Sequence, residues 1–261
     1  MKLHHATWPE IEAYLQHQDG IIIPTGSTEQ HGPMGLIGTD ALCAELVASG
    51  AADKHNALLA PTLSYTPAPF NMSFPGTISI SPKCFRKLLD EIISGLTQQG
   101  FRHIYFLNGH GANLDPLRQC VTTHITNQPE LAIRVRSWWD FAEVNKLRQQ
   151  FYGEWEGMHA TPSEIALTQT AYRNVQPGSY ANSPPEKLSA EYIKTHAGDK
   201  HGPPDKHRAQ FPDGRVGSHS ALATPAQGEA LLAAAISAVE ADYLAFLNSQ
   251  HSLNDGNERR I

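Results

Sequence analysis

Ile21-Ile22-Ile23-Pro24-Thr25-Gly26-Ser27-Thr28-Glu29-Gln30-His31-Gly32-Pro33 is the stretch on which the reading of this chain turns. Residues 21–24 form a short apolar run bounded by turn residues, the pattern of a strand buried on both faces. The loop that follows reaches Thr39-Asp40 nine residues beyond His31. Glu29, His31 and Asp40 therefore gather just past a strand end, the edge at which open α/β sheets bind ligands. Glu29 and His31 are two apart, so in an extended strand exit their side chains point the same way. Gly32-Pro33 and Gly35 shape the turn, and Asp40 returns as the next helix opens. Two carboxylates and an imidazole are the donor inventory of a divalent-metal site. Asp40 read alone also has a plainer role, because Asp is a preferred helix cap.

Outward from this stretch, helices and strands alternate. Residues 10–15 read as a short amphipathic helix, and Thr39-Asp40 opens another with apolar residues at helical spacing. Residues 57–61 are a second strand. Ser81-Pro82 starts a helix that Gly100 stops near Gln99. Strands at 103–107 and 131–135 flank a helix over 114–126, and further helices cover 162–171 and 225–247. This alternation predicts an α/β fold, three layers α/β/α around a mostly parallel central sheet. One domain is expected over residues 1–261, with 248–261 a frayed polar tail. The stretch 175–219 has little periodicity and is expected to wrap the surface or shape a site.

Composition narrows the partners. Lys and Arg number 20 against 26 Asp and Glu, a net charge of −6 with no basic run, which argues against a nucleic-acid surface. No apolar stretch is expected to reach the roughly 20 residues of a membrane span. Met1-Lys2-Leu3-His4-His5-Ala6 has no apolar signal core, so a cytoplasmic location is expected. Cys43, Cys84 and Cys120 are widely spaced and each falls in a predicted helix, which fits buried thiols in a reducing compartment.

Two further clusters carry chemistry. Asn108-Gly109-His110-Gly111-Ala112-Asn113 leaves the 103–107 strand, and its glycines let the backbone pass close to a ligand. Parallel strand order places this exit beside the first, making His110 a candidate fourth ligand. Trp155-Glu156-Gly157-Met158-His159, with Glu164 one turn into the next helix, joins carboxylates, an imidazole and an aromatic wall. His196, His201 and His207 also suggest metal chemistry, but their Lys, Asp, Gly and Pro neighbours read as solvent-exposed surface.

These motifs resemble the creatininase (creatinine amidohydrolase) family over most of the chain. Glu-Gln-His-Gly-Pro, a short apolar loop and Gly-Thr-Asp are met from Glu29 to Asp40, and Asn-Gly-His by Asn108-Gly109-His110. Phe74-Pro75-Gly76-Thr77, His159-Ala160, and Ala223-Thr224 before Gly228-Glu229 correspond as well. The resemblance implies a binuclear centre of two divalent ions per chain, zinc first, with manganese or iron tolerated. By that pattern Glu29 and His110 hold one ion, His31 the other, and Asp40 bridges them. The further carboxylate that creatininase takes two residues past the motif histidine is Ala112 here. Another branch of the family uses a glutamate five residues after the later histidine, which is Glu164. The implied chemistry is a shared water whose pKa falls toward about 7, attacking an amide carbonyl. His159 is the expected proton shuttle and Glu156 its orienting partner or a substrate contact. Trp155, with Trp138 or Trp139, would wall the pocket, and Ser73 and Asn113 are candidate substrate-binding residues.

The departures fall in pocket positions. Met34 replaces a second histidine, Phe70-Asn71 stands where several relatives have Glu-His, and His159-Ala160-Thr161-Pro162 replaces His-Ala-Gly-Glu. They point to a small non-peptide amide or cyclic amide other than creatinine, hydrolysed by a homo-oligomer, a hexamer by family resemblance. Two rivals are a deformylase acting on a formylamino-pyrimidine and a metal-binding homologue without turnover. A two-metal phosphatase would want an electropositive pocket, and the motif loops hold no Lys or Arg.

Overall fold

The computed structural model describes residues 1–176, 178 and 181–248. A four-stranded parallel sheet lies at its centre, in the order β2-β1-β3-β4. The strands are β1 (Gly20–Thr25), β2 (Leu58–Leu59), β3 (His103–Asn108) and β4 (Ala132–Ser137). Around them run α1 (Trp8–Leu15), α2 (Thr39–His55), α3 (Pro82–Gln98), α4 (Leu114–Asn127), α5 (Ala142–Tyr152) and α6 (Pro162–Ala171). Two short helices follow, α7 (Ala190–Thr195) and α8 (Pro204–Gln210), and then the long α9 (Pro225–Asn248).

Strand side chains alternate between faces, and the alternation sorts the core into two layers. Ile21 and Ile23 of β1, Ile104 and Phe106 of β3, and Ile133 of β4 pack on Phe85, Leu89 and Ile93 of α3 and Leu117 and Val121 of α4. Ile22, Tyr105 and Leu107 face the other way, onto Val47, Ala48 and Ala51 of α2, Leu167 of α6 and Leu231, Ala235 and Val239 of α9. A strand covered on both faces cannot alternate polar with apolar, which is why 21–23 reads as an unbroken run. The expected three-layer α/β/α architecture is the one observed.

Two expectations are corrected. Residues 225–248 form a helix long and apolar enough to cross a membrane by length and composition. That helix sits on the core layer of α2 and α6, with its own Tyr243 and Phe246 buried there. Cys43 and Cys120 are buried as expected, but Cys84 is exposed. The tail beyond Asn248 lies outside the described residues.

Register sets up the site. Thr25, Asn108 and Ser137 are level across β1, β3 and β4. Thr25 Oγ1 donates to Asn108 Oδ1 at 3.2 Å, and Asn108 Nδ2 donates to Ser137 Oγ at 3.2 Å. This polar row closes the carboxyl edge of the sheet. β1 connects onward to β2 on one side while β3 lies on the other, so the loops after β1 and β3 diverge around a crevice.

Candidate metal centre

Asp40 stands at the middle of that crevice, in the first turn of α2. Its Oδ1 lies 2.9 Å from His31 Nε2, and its Oδ2 lies 2.9 Å from His110 Nδ1. Gly109 makes this approach possible, because a Cβ there would collide with the Asp40 carbonyl oxygen. The glycine thus admits the start of α2 rather than a ligand. Glu29 Oε1 lies 3.2 Å from His110 Nδ1 and 3.7 Å from His159 Nδ1. Glu164 Oε1 lies 3.9 Å from His31 Nε2. All six side chains are buried.

Hydrogen bonds to carbonyl groups select the histidine tautomers, since a carbonyl only accepts. His31 Nδ1 donates to Glu29 O at 3.1 Å, His110 Nε2 to Pro67 O at 2.8 Å, and His159 Nε2 to Gln30 O at 2.7 Å. Each ring therefore turns its other nitrogen toward the carboxylates, as metal-binding histidines do. Glu164 also closes the capping box of α6, accepting from Thr161 N. Asn71, one of the departures noted above, donates from Nδ2 to Glu29 Oε2 at 3.0 Å and approaches His159 Nε2 at 3.2 Å.

The electrostatics call for positive charge. Glu29, Asp40, Glu164 and Asp199 bring four carboxylates together, and among the described residues none of them pairs with a Lys or Arg. Burial raises the Glu29 carboxyl and pushes Glu164 up to about 8. Burial opposes charge on His31, but Asp40, Glu164 and Glu29 outweigh it and hold the imidazole near 10. Burial and the neighbouring His31 depress His159 to about 3, so it is neutral. Glu29 Oε1 is buried with no hydrogen-bond partner. Two donor sets share Asp40, one with Glu29 and His110 and one with His31 and Glu164, each with its donor atoms within 4.8 Å of one another. Carboxylate oxygen and imidazole nitrogen in this ratio suit zinc or manganese.

A cavity of about 190 Å³ opens onto the cluster. Its walls include Trp138, Trp139, Arg148, Met158, His159 and Asp199. Several expected contacts lie elsewhere. Trp155 packs edge-on against His219, with Lys187 over its ring. Ser73 gives its carbonyl to Arg208 outside the cavity wall. Asn113 is spent inside the fold, donating to Gly26 O at 2.9 Å and Asn108 Oδ1 at 3.2 Å, which ties the β1 and β3 exits together. Glu156 does not orient His159; it accepts from Arg148 Nε at 2.8 Å and from Ser163 Oγ, and lines an adjacent cleft.

The surface reading of the His-rich segment also fails. His207 is buried, and His201 packs against Phe70 at 4.8 Å between ring centroids. Phe70 in turn stacks near His110 and meets His159 edge-on. Asp199, between His196 and His201, reaches the centre itself. Neither Arg148 nor Asp199 stands in a recognisable motif.

A doubly covered parallel sheet carrying carboxylates and imidazoles at its carboxyl edge defines an α/β protein with a metal-site geometry. More particularly, the chain belongs to the creatininase family, whose model, described as creatinine amidohydrolase, matches residues 4–242. The Pseudomonas putida creatinine amidohydrolase is 29% identical over 189 residues, covering 64% of this chain and 70% of that one. A 3-dehydro-scyllo-inosose hydrolase of Thermotoga maritima is 36% identical over 106 residues, 40% of this chain but only 34% of the relative. A mycofactocin precursor peptide peptidase of Mycolicibacterium smegmatis is 36% identical over 107 residues, 39% of this chain and 43% of the relative. The fold matches a manganese creatininase with a TM-score of 0.75 at 23% identity, covering 95% of this chain and 98% of that one. A mutant creatininase of Zn-Zn type matches with a TM-score of 0.74 at 22% identity, over 95% and 98% of the two chains.

Proposed function

We propose that this protein hydrolyses a non-peptide carbon–nitrogen bond in a small amide or cyclic amide. The observation that carries the reading is the Asp40 carboxylate, whose two oxygens face separate donor sets at equal distance. On this reading Glu29, Asp40 and His110 hold one divalent ion, and His31, Asp40 and Glu164 hold another. Bound there, the pair supplies a water of lowered pKa and polarises a carbonyl. His159 does the proton work. Its Nε2 is committed to Gln30 O, leaving Nδ1 toward Glu29 to take a proton and return it to the departing nitrogen. Burial and the neighbouring His31 keep the ring neutral in the metal-free chain, so Nδ1 is free to accept. Asn71 orients Glu29 by donating to its Oε2. Trp138 and Trp139 limit the cavity to a small molecule. Hydrolysis is the common thread in the relatives' names, and the cavity size favours a small amide over a peptide.

Homo-oligomerisation belongs to the same proposal. Tyr65, Met72 and Ile78 expose apolar surface along residues 61–80, and light scattering tests it.

The decisive experiment reloads stripped protein with zinc or manganese, measures metal by elemental analysis, and assays lactams, N-formyl amines, creatinine and short peptides. Turnover of a lactam or small amide is expected, lost in His159→Ala while two ions stay bound. Turnover confined to N-formyl amines would assign a deformylase, and turnover confined to peptides a peptidase. Two ions without turnover of anything would leave a metal-binding homologue.

A further inference from the structure

We propose that Asp199 is an additional ligand to the ion held by Glu29, Asp40 and His110, delivered across the pocket by the segment 196–201. The inference rests on the two-ion reading above and extends it to a residue outside the family motifs.

Geometry is the first support. His110 Nε2 is committed to Pro67 O, so Nδ1 is its ligating atom. Around Nδ1 lie Asp40 Oδ2 at 2.9 Å, Glu29 Oε1 at 3.2 Å and Asp199 Oδ2 at 3.7 Å. Ligand atoms that each sit about 2.0–2.2 Å from one divalent ion stand roughly 3–4 Å from one another. All three separations from Nδ1 fall in or beside that range. Asp199 stands just outside the set of Glu29, Asp40 and His110, whose donor atoms lie within 4.8 Å of one another. The carboxylates come from two distant stretches of chain, 29–40 and 199.

The seating of Asp199 is the second support, and it is independent of the distances. Its φ is 55°, one of three positive values at non-glycine residues among those described. Such backbone persists where its surroundings over-determine it, and gathers at functional sites. Ala112 N donates to Asp199 Oδ2 at 3.1 Å. A Cβ at Gly111 would collide with Asp199 Oδ2, so alanine there would push the carboxylate out of its present position. On its far side Oδ1 lies 3.7 Å from His201 Nε2, which is buried without a hydrogen-bond partner. Phe70 packs on both His201 and His110, fixing the segment to the centre. Ala112 has no carboxylate to offer; the oxygen seated on its backbone belongs to Asp199.

The test is competitive zinc titration of metal-stripped wild type, Asp199→Asn and Gly111→Ala, with hydrogen exchange of residues 196–201 followed with and without zinc. Asparagine keeps an acceptor for Ala112 N–H and removes the charge. Wild type is expected to bind two ions, and Asp199→Asn to lose about 10- to 100-fold in affinity for one of them. Gly111→Ala should show the same loss with the carboxylate still present. Zinc should slow exchange over 196–201 in wild type and fail to do so in Asp199→Asn. Two ions bound equally tightly by all three proteins, or metal-independent exchange in wild type, would overturn the role of Asp199 alone. A wild type that binds no zinc would overturn the centre as well. The exchange measurement on wild type decides the matter even if both variants misfold.

Discussion

Ser27 Oγ donates to Asp40 Oδ2 across 2.8 Å, so the carboxylate shared by both donor sets is oriented by a hydroxyl from the loop that also carries Glu29. Both residues are buried. Removing the hydroxyl frees Asp40 to rotate without removing any candidate ligand. Ser27→Ala should weaken divalent-ion affinity by about 10-fold or more and cost about 1 kcal/mol of stability. Competition against a chromogenic chelator, beside a denaturant titration, measures both. Unchanged affinity would show that Asp40 is held by its histidines alone.

Ion uptake should release protons. In the metal-free chain burial holds Glu164 near 8, and the carboxylates hold His31 near 10. Both groups are therefore protonated at pH 7, and both must lose the proton to bind a cation. Apparent affinity rises with pH through that range, and the calorimetric heat of binding at pH 7 varies with buffer ionisation enthalpy. A heat independent of buffer would mean the ligands are already deprotonated.

Gly109→Ala forces a methyl group onto the Asp40 carbonyl. Overpacking of this kind costs about 1–3 kcal/mol, equivalent to a Tm lower by roughly 2–10 °C in a chain of this size. Gly95, inside α3, has open space within 4 Å of where a Cβ would stand. There alanine should stabilise, by about 0.5–1 kcal/mol. Differential scanning calorimetry of the two variants should move in opposite directions. A shared direction would refute the packing argument.

Asp19 Oδ1 lies 2.6 Å from His103 Nδ1 at the opposite edge of the sheet. The hydrogen bond from His103 pulls the Asp19 carboxyl below its usual value, against the opposing effect of burial. A carboxyl more acidic in the folded chain contributes stability in full above its unfolded pKa, about 4, and loses it as pH falls through the folded value. Asp19→Asn should therefore melt below wild type at pH 7, with the gap narrowing once the pH drops below about 4. A gap that stays constant with pH would assign the effect to geometry rather than charge.

The sheet was legible because residues 21–23 and 104–107 are covered on both faces and cannot disguise themselves as amphipathic segments. Glu29, His31, Asp40 and His110 were readable as a group for the same reason: strand exits at one edge bring their loops together whatever the details of packing. The rest depended on long-range contact. Arg148 faces the cavity from a helix whose pattern reports only its buried side, and it captures Glu156, the carboxylate that sequence alone puts beside His159. His201 and His207 have polar neighbours in sequence, and only the fold shows Phe70 against them. Local polarity describes the chain next to a residue, not the ring that will cover it.

The side chains that converge on the crevice leave the ribosome in sequence order, N-terminal first. Glu29, His31 and Asp40 are made some seventy residues before His110 and more than a hundred before Glu164. During synthesis the nascent chain thus offers half a chelator with no sheet beneath it, since β1 lacks its β3 neighbour until residue 108 has emerged. Both donor sets are complete only once residue 164 has been made and β1 has paired with β3. A cation met before β3 emerges finds three donors from one stretch of chain and none of the partners that the later strands and helices bring.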